Sequence, residues 1–254
     1  MQLFLLDHID LKGNNIIIDN PELWQQAKKV LRLESGDQIF IQVGNTRYDV
    51  EIAKLQDLKI FGTVKNSSSA PQNERNISMI IAMPNKREKA ELIVQKLTEI
   101  GVHEIIFRPS ERSVVKVWNE NKVTRLEKIM KEALEQSRGR RLPKISFVKD
   151  IEKILEGKII IVFDKNDSAP SSLCEPCLPA GRGNEAVDGL RRSARNDNKE
   201  AAFTTGLVGP EGGRGPKDYE LFKTYDTEVR DLGSTILRME TAAIVGAWVM
   251  KNSL

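Results

Sequence analysis

The chain has 254 residues, 40% of them hydrophobic and 30% charged, with a formal net charge of +3 at neutral pH. That length holds one large or two modest domains with real cores, and the composition excludes a fibre or a wholly disordered chain. The opening MQLFLLDHID lacks a basic stretch before its short apolar run, and the longest later run, Ala242 to Met250, is too short to cross a bilayer; neither a secretory leader nor a membrane span is expected. The only two cysteines, Cys174 and Cys177, give no disulfide framework and fit a reducing cytoplasm. They form one Cys-Glu-Pro-Cys with no second pair or histidine nearby, and His8 and His103 are isolated, so no metal site is expected. Charge is unevenly placed: residues 1–70 carry 8 basic and 9 acidic side chains, but 112–149 carry 11 basic and 4 acidic. The second segment is a candidate footprint for a polyanion, with a solvated basic helix as the alternative.

In chain order, the first 65 residues predict short strands at LFLL, NIIID, QIFIQV, RYDVEIAK and LKIFGTVK, rich in Ile, Val, Phe and Tyr. One helix interrupts them, NPELWQQAKKVLRLESGD, with Pro21 in its first turn and Trp24, Ala27, Val30 and Leu31 along one face. A small β-barrel closes so many short strands without leaving edges. The polar stretch KNSSSAPQNERN marks a boundary, giving domains 1–70 and 71–254.

The rhythm then changes to alternating strands and helices. ISMIIAMP, VHEIIFRPS, KISFV, KIIIVFD, TTGLVG and EVRDLG read as strands. NKREKAELIVQKLTEIG and NKVTRLEKIMKEALEQS read as helices, the first capped by Gly101 and the second ending in the basic RGRRLP, and a last helix begins within LRMETAAIVGAWVM. This α/β pattern predicts a mostly parallel sheet covered on both faces. Residues 165–202, poor in apolar side chains, read as a long disordered surface loop.

Two glycine turns fall at predicted strand ends, LVGPEGG at 207–213 and Leu232-Gly233. In a parallel α/β sheet ligands bind outside the carboxyl ends of strands, and glycine there permits positive φ and close approach of a ligand to the backbone. Neither a P-loop nor a dinucleotide fingerprint is present. Taken alone, such a turn is more often structural than functional; its pairing with LGSTILRMETA, where Arg238 and Glu240 follow a second turn into a helix, favours a binding site.

LVGPEGG followed by LGSTILRMETA resembles the paired C-terminal signatures of the bacterial 16S ribosomal RNA uracil-N3 methyltransferases, members of the knotted SPOUT methyltransferase superfamily. EKAELIVQKLTEIGVHEIIFRPSERSVVK, EALEQSRGRRLP and AKKVLRLESGDQI resemble further segments of that family, so the likeness spans nearly the whole chain except 165–202. The resemblance implies a C-terminal α/β domain with a trefoil knot, an N-terminal PUA-like RNA-binding barrel, S-adenosylmethionine as cofactor, 16S ribosomal RNA or the small ribosomal subunit as partner, and a homodimer. Carried over position by position, it implies cofactor contacts at Phe163, Leu207, Val208, Gly209, Pro210, Glu211, Gly212, Gly213, Leu232, Gly233, Ile236, Leu237 and Arg238, with Asp164 beside Phe163 completing the pocket. Arg238 would stabilise negative charge on the uracil and Glu240 would accept its proton, unless Glu240 only caps the last helix. Glu211 could instead hold the glycine loop in shape. Arg112, Arg138, Arg140 and Arg141 would engage RNA phosphates. The chain departs from the family pattern at Ser137-Arg138-Gly139, where Ser-Gly-Arg is expected. Two rivals stand beside this reading: a knotted enzyme acting on ribose 2′-hydroxyls or another base, and a non-enzymatic RNA-binding protein that kept the fold.

Overall fold

A computed structural model describes residues 2–69, 76–111, 113, 120–156, 158–164, 204–225 and 227–253. The chain forms two compact units, Met1–Gln72 with Lys131–Arg141, and Asn73–Met130 with Leu142–Leu254. The basic turn, which the sequence places in the second domain, is therefore part of the first unit. The segment 165–202, Arg112 and the expected boundary at 70/71 lie outside the described residues.

In the first unit six strands make one sheet: β1 (Gln2–Leu6), β2 (Asp10–Lys12), β3 (Asn15–Asp19), β4 (Gln38–Val43), β5 (Thr46–Gln56) and β6 (Lys59–Ser69), in the order β1-β4-β5-β6-β3-β2. Only β1 and β4 pair in parallel. One face is apolar, with Phe4, Ile16, Ile18, Ile39, Ile41, Val50, Ile52 and Ile60 gathered into a single core. The long β5–β6 pair shifts register at Asp49/Val50 and Ile52/Lys54, the kind of irregularity that bends a sheet around its contents.

The helix of this unit is shorter than its sequence predicts. α1 (Pro21–Gln25) is capped by Asn20, whose side chain accepts from Leu23 N at 2.9 Å, and it continues as a π turn over Gln26–Val30. The wider turn, closed by Leu31 N donating to Gln26 O at 2.9 Å, rotates the later residues off the apolar face. Ala27 is buried as expected, but Val30 is 72% exposed.

The second unit carries six parallel strands in the order β12-β10-β11-β7-β8-β9. They are β7 (Ile77–Ala82), β8 (Glu104–Arg108), β9 (Lys144–Phe147), β10 (Ile159–Phe163), β11 (Thr204–Val208) and β12 (Thr227–Arg230). Alternate strand residues serve two cores. Met79, Ile81, Ile105, Phe107, Ile161 and Phe163 meet α2 (Arg87–Ile100), α3 (Glu120–Ser137) and α6 (Met239–Ser253) on one face. Ile80, Ile106, Ile160, Val162 and Leu207 meet α4 (Glu152–Leu155) and α5 (Pro216–Thr224) on the other. A parallel sheet buried on both faces is the expected result of such continuous apolar strands. Gly246 lets α6 approach closely, since a Cβ there would sit 2.6 Å from the Phe163 ring.

Candidate active site and nucleic-acid interface

A cavity of about 530 Å³ opens at the carboxyl ends of β10, β11 and β12. The turn after β11 closes with Gly213 N donating to Pro210 O at 3.0 Å, and Gly213 has φ +74. After β12, Gly233 has φ +137, and its N–H donates to Asp231 Oδ1 at 3.0 Å. Both values lie where a side chain is strained, so each turn needs its glycine for backbone reasons.

Of the expected cofactor residues, Phe163, Val208, Gly209, Pro210, Glu211, Gly213, Leu232, Ile236, Leu237 and Arg238 line the cavity, with Asp164 beside them. Leu207 does not; it is buried in the core on the α5 side and only its carbonyl faces this region, accepting from Arg214. Gly212 and Gly233 also stand outside the wall. Gly209 has an unexpected neighbour: a Cβ there would meet the Arg214 side chain at 3.1–3.3 Å. Ile236, 84% exposed, presents an apolar side chain at the cavity.

Arg238 lines the cavity and is exposed, and among the described residues its guanidinium makes no hydrogen bond or ion pair. Its carbonyl starts α6, accepting from Ala242 N at 2.8 Å. Glu240 is in the first turn of α6, where the helix dipole favours a carboxylate, but it is not part of the cavity wall.

Three residues matter here that the sequence did not disclose. Lys89 of α2 lines the cavity and donates to Glu211 Oε1 at 2.5 Å, with Glu240 Oε2 at 3.5 Å on its other side. Asn85 Nδ2 donates to Glu211 Oε2 at 2.7 Å. Glu211 is thus held at both oxygens, tying the glycine turn to the α2 end of the sheet, and its hydrogen bond keeps Lys89 protonated beyond the ordinary lysine range. Arg214 is the third, a cavity-lining guanidinium whose side chain is 3% exposed. Each was hidden by residue type, since a helical lysine or a loop arginine ordinarily faces water.

The basic turn is built on different principles. α3 ends in a Schellman motif: Gly139 N donates to Leu134 O at 3.1 Å and Arg138 N to Glu135 O at 3.4 Å. Arg138 occupies the left-handed position, φ +53, that glycine ordinarily takes. Gly139 is glycine for another reason, because its Cβ would collide with Leu134 Cδ1. Comparing Arg138→Gly with Arg138→Ala isolates this strain, as both remove the same charge; Gly should be the more stable by about 1 kcal/mol in urea melts.

Two side chains from the strands grip the turn by its backbone. Arg47 of β5, 7% exposed, donates through Nη2 to Arg138 O at 3.0 Å, Gly139 O at 2.5 Å and Gln42 Oε1 at 3.2 Å. Gln42 Nε2 donates to Arg140 O at 2.9 Å. Arg140 Nη1 donates to Ser68 Oγ at 2.8 Å, and the buried Nε atoms of Arg47 and Arg141 have no hydrogen-bond partner among the described residues. Burial, followed by the nearby Arg140 and Arg138 charges, lowers the pKa of Arg47. A cluster of guanidinium groups that repel one another is a site an anion stabilises.

Comparison with known proteins identifies the family. Residues 71–251 match the family described as the RNA methyltransferase domain. The ribosomal RNA small subunit methyltransferase E 2 of Borreliella burgdorferi is 27% identical over 248 residues, covering 96% of this chain and 94% of that protein. The corresponding methyltransferase E of Bacillus subtilis is 29% identical, over 85% and 81%. Among solved structures, a ribosomal RNA small subunit methyltransferase E from Neisseria gonorrhoeae bound to S-adenosyl methionine shares the fold with a TM-score of 0.72 at 20% identity, covering 100% of this chain and 98% of that one. A Legionella pneumophila protein in complex with the bound cofactor SAM gives 0.70 at 22%, covering 99% and 97%. With the family match spanning both glycine turns and the sheet beneath them, the chain belongs to the RNA methyltransferase domain family.

Proposed function

We propose that this protein methylates N3 of a uracil in 16S ribosomal RNA, with S-adenosylmethionine as methyl donor. The observation that carries the reading is the cavity at the strand ends, framed by both glycine turns and lined by Arg238, a cation with no ion-pair partner among the described residues. The names of the Borreliella burgdorferi and Bacillus subtilis relatives supply the ribosomal RNA; the uracil-N3 target comes from the signature motifs.

The residues present fit the donor. The cavity mixes apolar side chains, Val208, Leu232, Ile236 and Leu237, with carboxylates at Asp164 and Asp231, which suits a nucleoside that also carries positive charge. Gly209, Pro210, Leu232 and Leu237 would hold it through backbone and apolar contact. When bound, S-adenosylmethionine supplies an electrophilic methyl group on a sulfonium. The chain's part is to orient uracil N3 toward it and to stabilise the charge left when the imide proton departs. Arg238 does the second through its exposed guanidinium. Glu240 stands behind the wall and serves here as the second carboxylate beside Lys89 rather than as proton acceptor. The arginines of the basic turn, positioned by Arg47 and Gln42, hold RNA phosphates.

The finer architecture belongs to the same proposal. A trefoil knot is supported by the path from the edge strand β12 back to α6, which packs against β11 and β7 at the sheet centre. A PUA-like barrel is supported by the single core and register shifts of the first sheet. A homodimer is supported by Trp248, 58% exposed on α6, and the exposed Leu92 on the adjoining α2. Light scattering should show a dimer, and Trp248→Glu a larger monomer fraction.

Nucleoside mass spectrometry of 16S ribosomal RNA from cells lacking the gene tests the function. Loss of N3-methyluridine, restored by the wild-type gene, is the expected result; loss of a ribose-methylated nucleoside instead would transfer the reading to a different target.

A further inference from the structure

Beside the cavity lies a buried charged assembly that the methyl transfer itself does not use. Arg214 follows the glycine turn, and its guanidinium is engaged on three sides. Nη1 pairs with the Asp164 carboxylate, and Nη2 donates to Phe163 O at 2.9 Å and Leu207 O at 3.3 Å. The guanidinium carbon sits 5.5 Å from the centre of the Phe222 ring, and Nε, buried, has no hydrogen-bond partner among the described residues. Phe163 ends β10 and Leu207 is the penultimate residue of β11, so one side chain joins the carboxyl ends of two adjacent strands. Tyr219 OH donates to Asp164 Oδ2 at 3.0 Å, holding that carboxylate from α5 as well.

Burying an arginine beside a ligand cavity is costly unless its fork is satisfied, and this one is satisfied mostly by groups that shape the cavity. Gly209 adds a second observation. Its φ is not among the positive values, so an alanine would be tolerated by the backbone. What crowds a side chain there is Arg214, whose Cγ, Nε and Cζ lie 3.1, 3.2 and 3.3 Å from the position of a Cβ.

We propose that Arg214 is a positioning residue of the S-adenosylmethionine cavity, and that Gly209 is glycine to admit Arg214 rather than the ligand. The inference rests on the cofactor reading above. Arg214 fixes the spacing of the β10 and β11 ends and presents Asp164 at a set angle to the cavity, where a carboxylate suits hydroxyl or ammonium donors. Nothing reacts at Arg214 itself.

A double-mutant cycle tests it, using the full chain as wild type, Gly209→Ala, Arg214→Ala and the double variant. Each protein is titrated with S-adenosylmethionine by calorimetry and melted without ligand. Gly209→Ala should weaken binding about tenfold and lower the Tm when Arg214 is present, yet change neither in the Arg214→Ala background, which lacks the Cγ, Nε and Cζ atoms that crowd position 209. Equal effects of Gly209→Ala in both backgrounds would overturn the inference, because Gly209 would then meet the ligand directly. Should Arg214→Ala not fold, the positioning role rests on Arg214→Lys, which keeps a charge for Asp164 but loses the planar fork that also reaches two carbonyls. Arg214→Lys separates positioning from bulk stability: the KM for S-adenosylmethionine should rise while kcat at saturation and RNA affinity hold. Wild-type KM in Arg214→Lys would overturn the positioning role. Failure of the wild-type protein to bind S-adenosylmethionine would instead sink the cofactor reading, and the ligand-free melts would still decide the Gly209–Arg214 coupling.

Discussion

Arg238→Ala is expected to slow methyl transfer by about 10²- to 10³-fold in a single-turnover assay with RNA and S-adenosylmethionine saturating, the range seen when one preorganised donor to a developing anion is lost. The guanidinium is distinguished by what it lacks. It lines the cavity, it is exposed, and no described side chain holds it, so its donors are available to a substrate. As N3 gives up its proton, negative charge spreads to the uracil oxygens, and an interaction that grows with that charge lowers the barrier more than it tightens ground-state binding. Arg238→Lys should therefore recover only part of the rate, because the ammonium keeps the charge but not the planar fork. Cofactor affinity should change little in either variant. Wild-type single-turnover rates in Arg238→Ala would remove the residue from the chemistry, and a fall confined to RNA affinity would make it a phosphate clamp.

Why the sequence disclosed Arg238 but not Arg214 has a physical answer. Glycines at strand ends advertise a turn, and a turn at the carboxyl end of a parallel strand is where a ligand binds, so the place of the cavity was legible, whereas its individual lining residues came only from the family resemblance. The reason for each glycine was not legible. Gly213 and Gly233 need positive φ, as sequence chemistry anticipates, whereas Gly209 answers to an arginine five residues on. Arg214 and Arg47 are both deeply buried against the ordinary preference of arginine for water, and no spacing rule predicts which arginine does this. α5 carries helical signals of its own: Pro216 opens it, Asp218 Oδ2 accepts from Gly215 N at 3.2 Å, and Tyr219 and Phe222 recur at helical spacing. α1 was misread in its last turn because the sequence carries no mark of π winding. The basic segment was legible as charge, but not as part of the first unit, since compactness depends on which strands the turn packs against and not on where it falls in the chain.

The packing of the basic turn onto the first unit's strands sets the second large effect. Reversing charge at Arg138, Arg140 and Arg141 together should weaken RNA binding steeply and flatten its dependence on salt by about 0.7 to 0.9 in log–log slope for each phosphate no longer neutralised. Charge alone would explain such a result, so the sharper variant is Arg47→Lys. It removes no charge and touches no exposed arginine. A lysine at that position has a single ammonium and cannot span Arg138 O, Gly139 O and Gln42 Oε1 as the guanidinium does. Once the backbone of the turn is released, its arginines are ordered only when RNA arrives, and the entropy of ordering them is subtracted from the binding free energy. Arg47→Lys should therefore bind RNA more weakly with a nearly unchanged salt slope, because the same phosphates are neutralised in the bound state. The triple reversal should lose both affinity and slope. S-adenosylmethionine affinity should be unaffected in either protein, and a melt run in parallel separates loss of grip from loss of fold. If the triple reversal keeps wild-type affinity and slope, the basic turn is solvated surface; if only Arg47→Lys keeps them, the turn binds RNA without needing its backbone held.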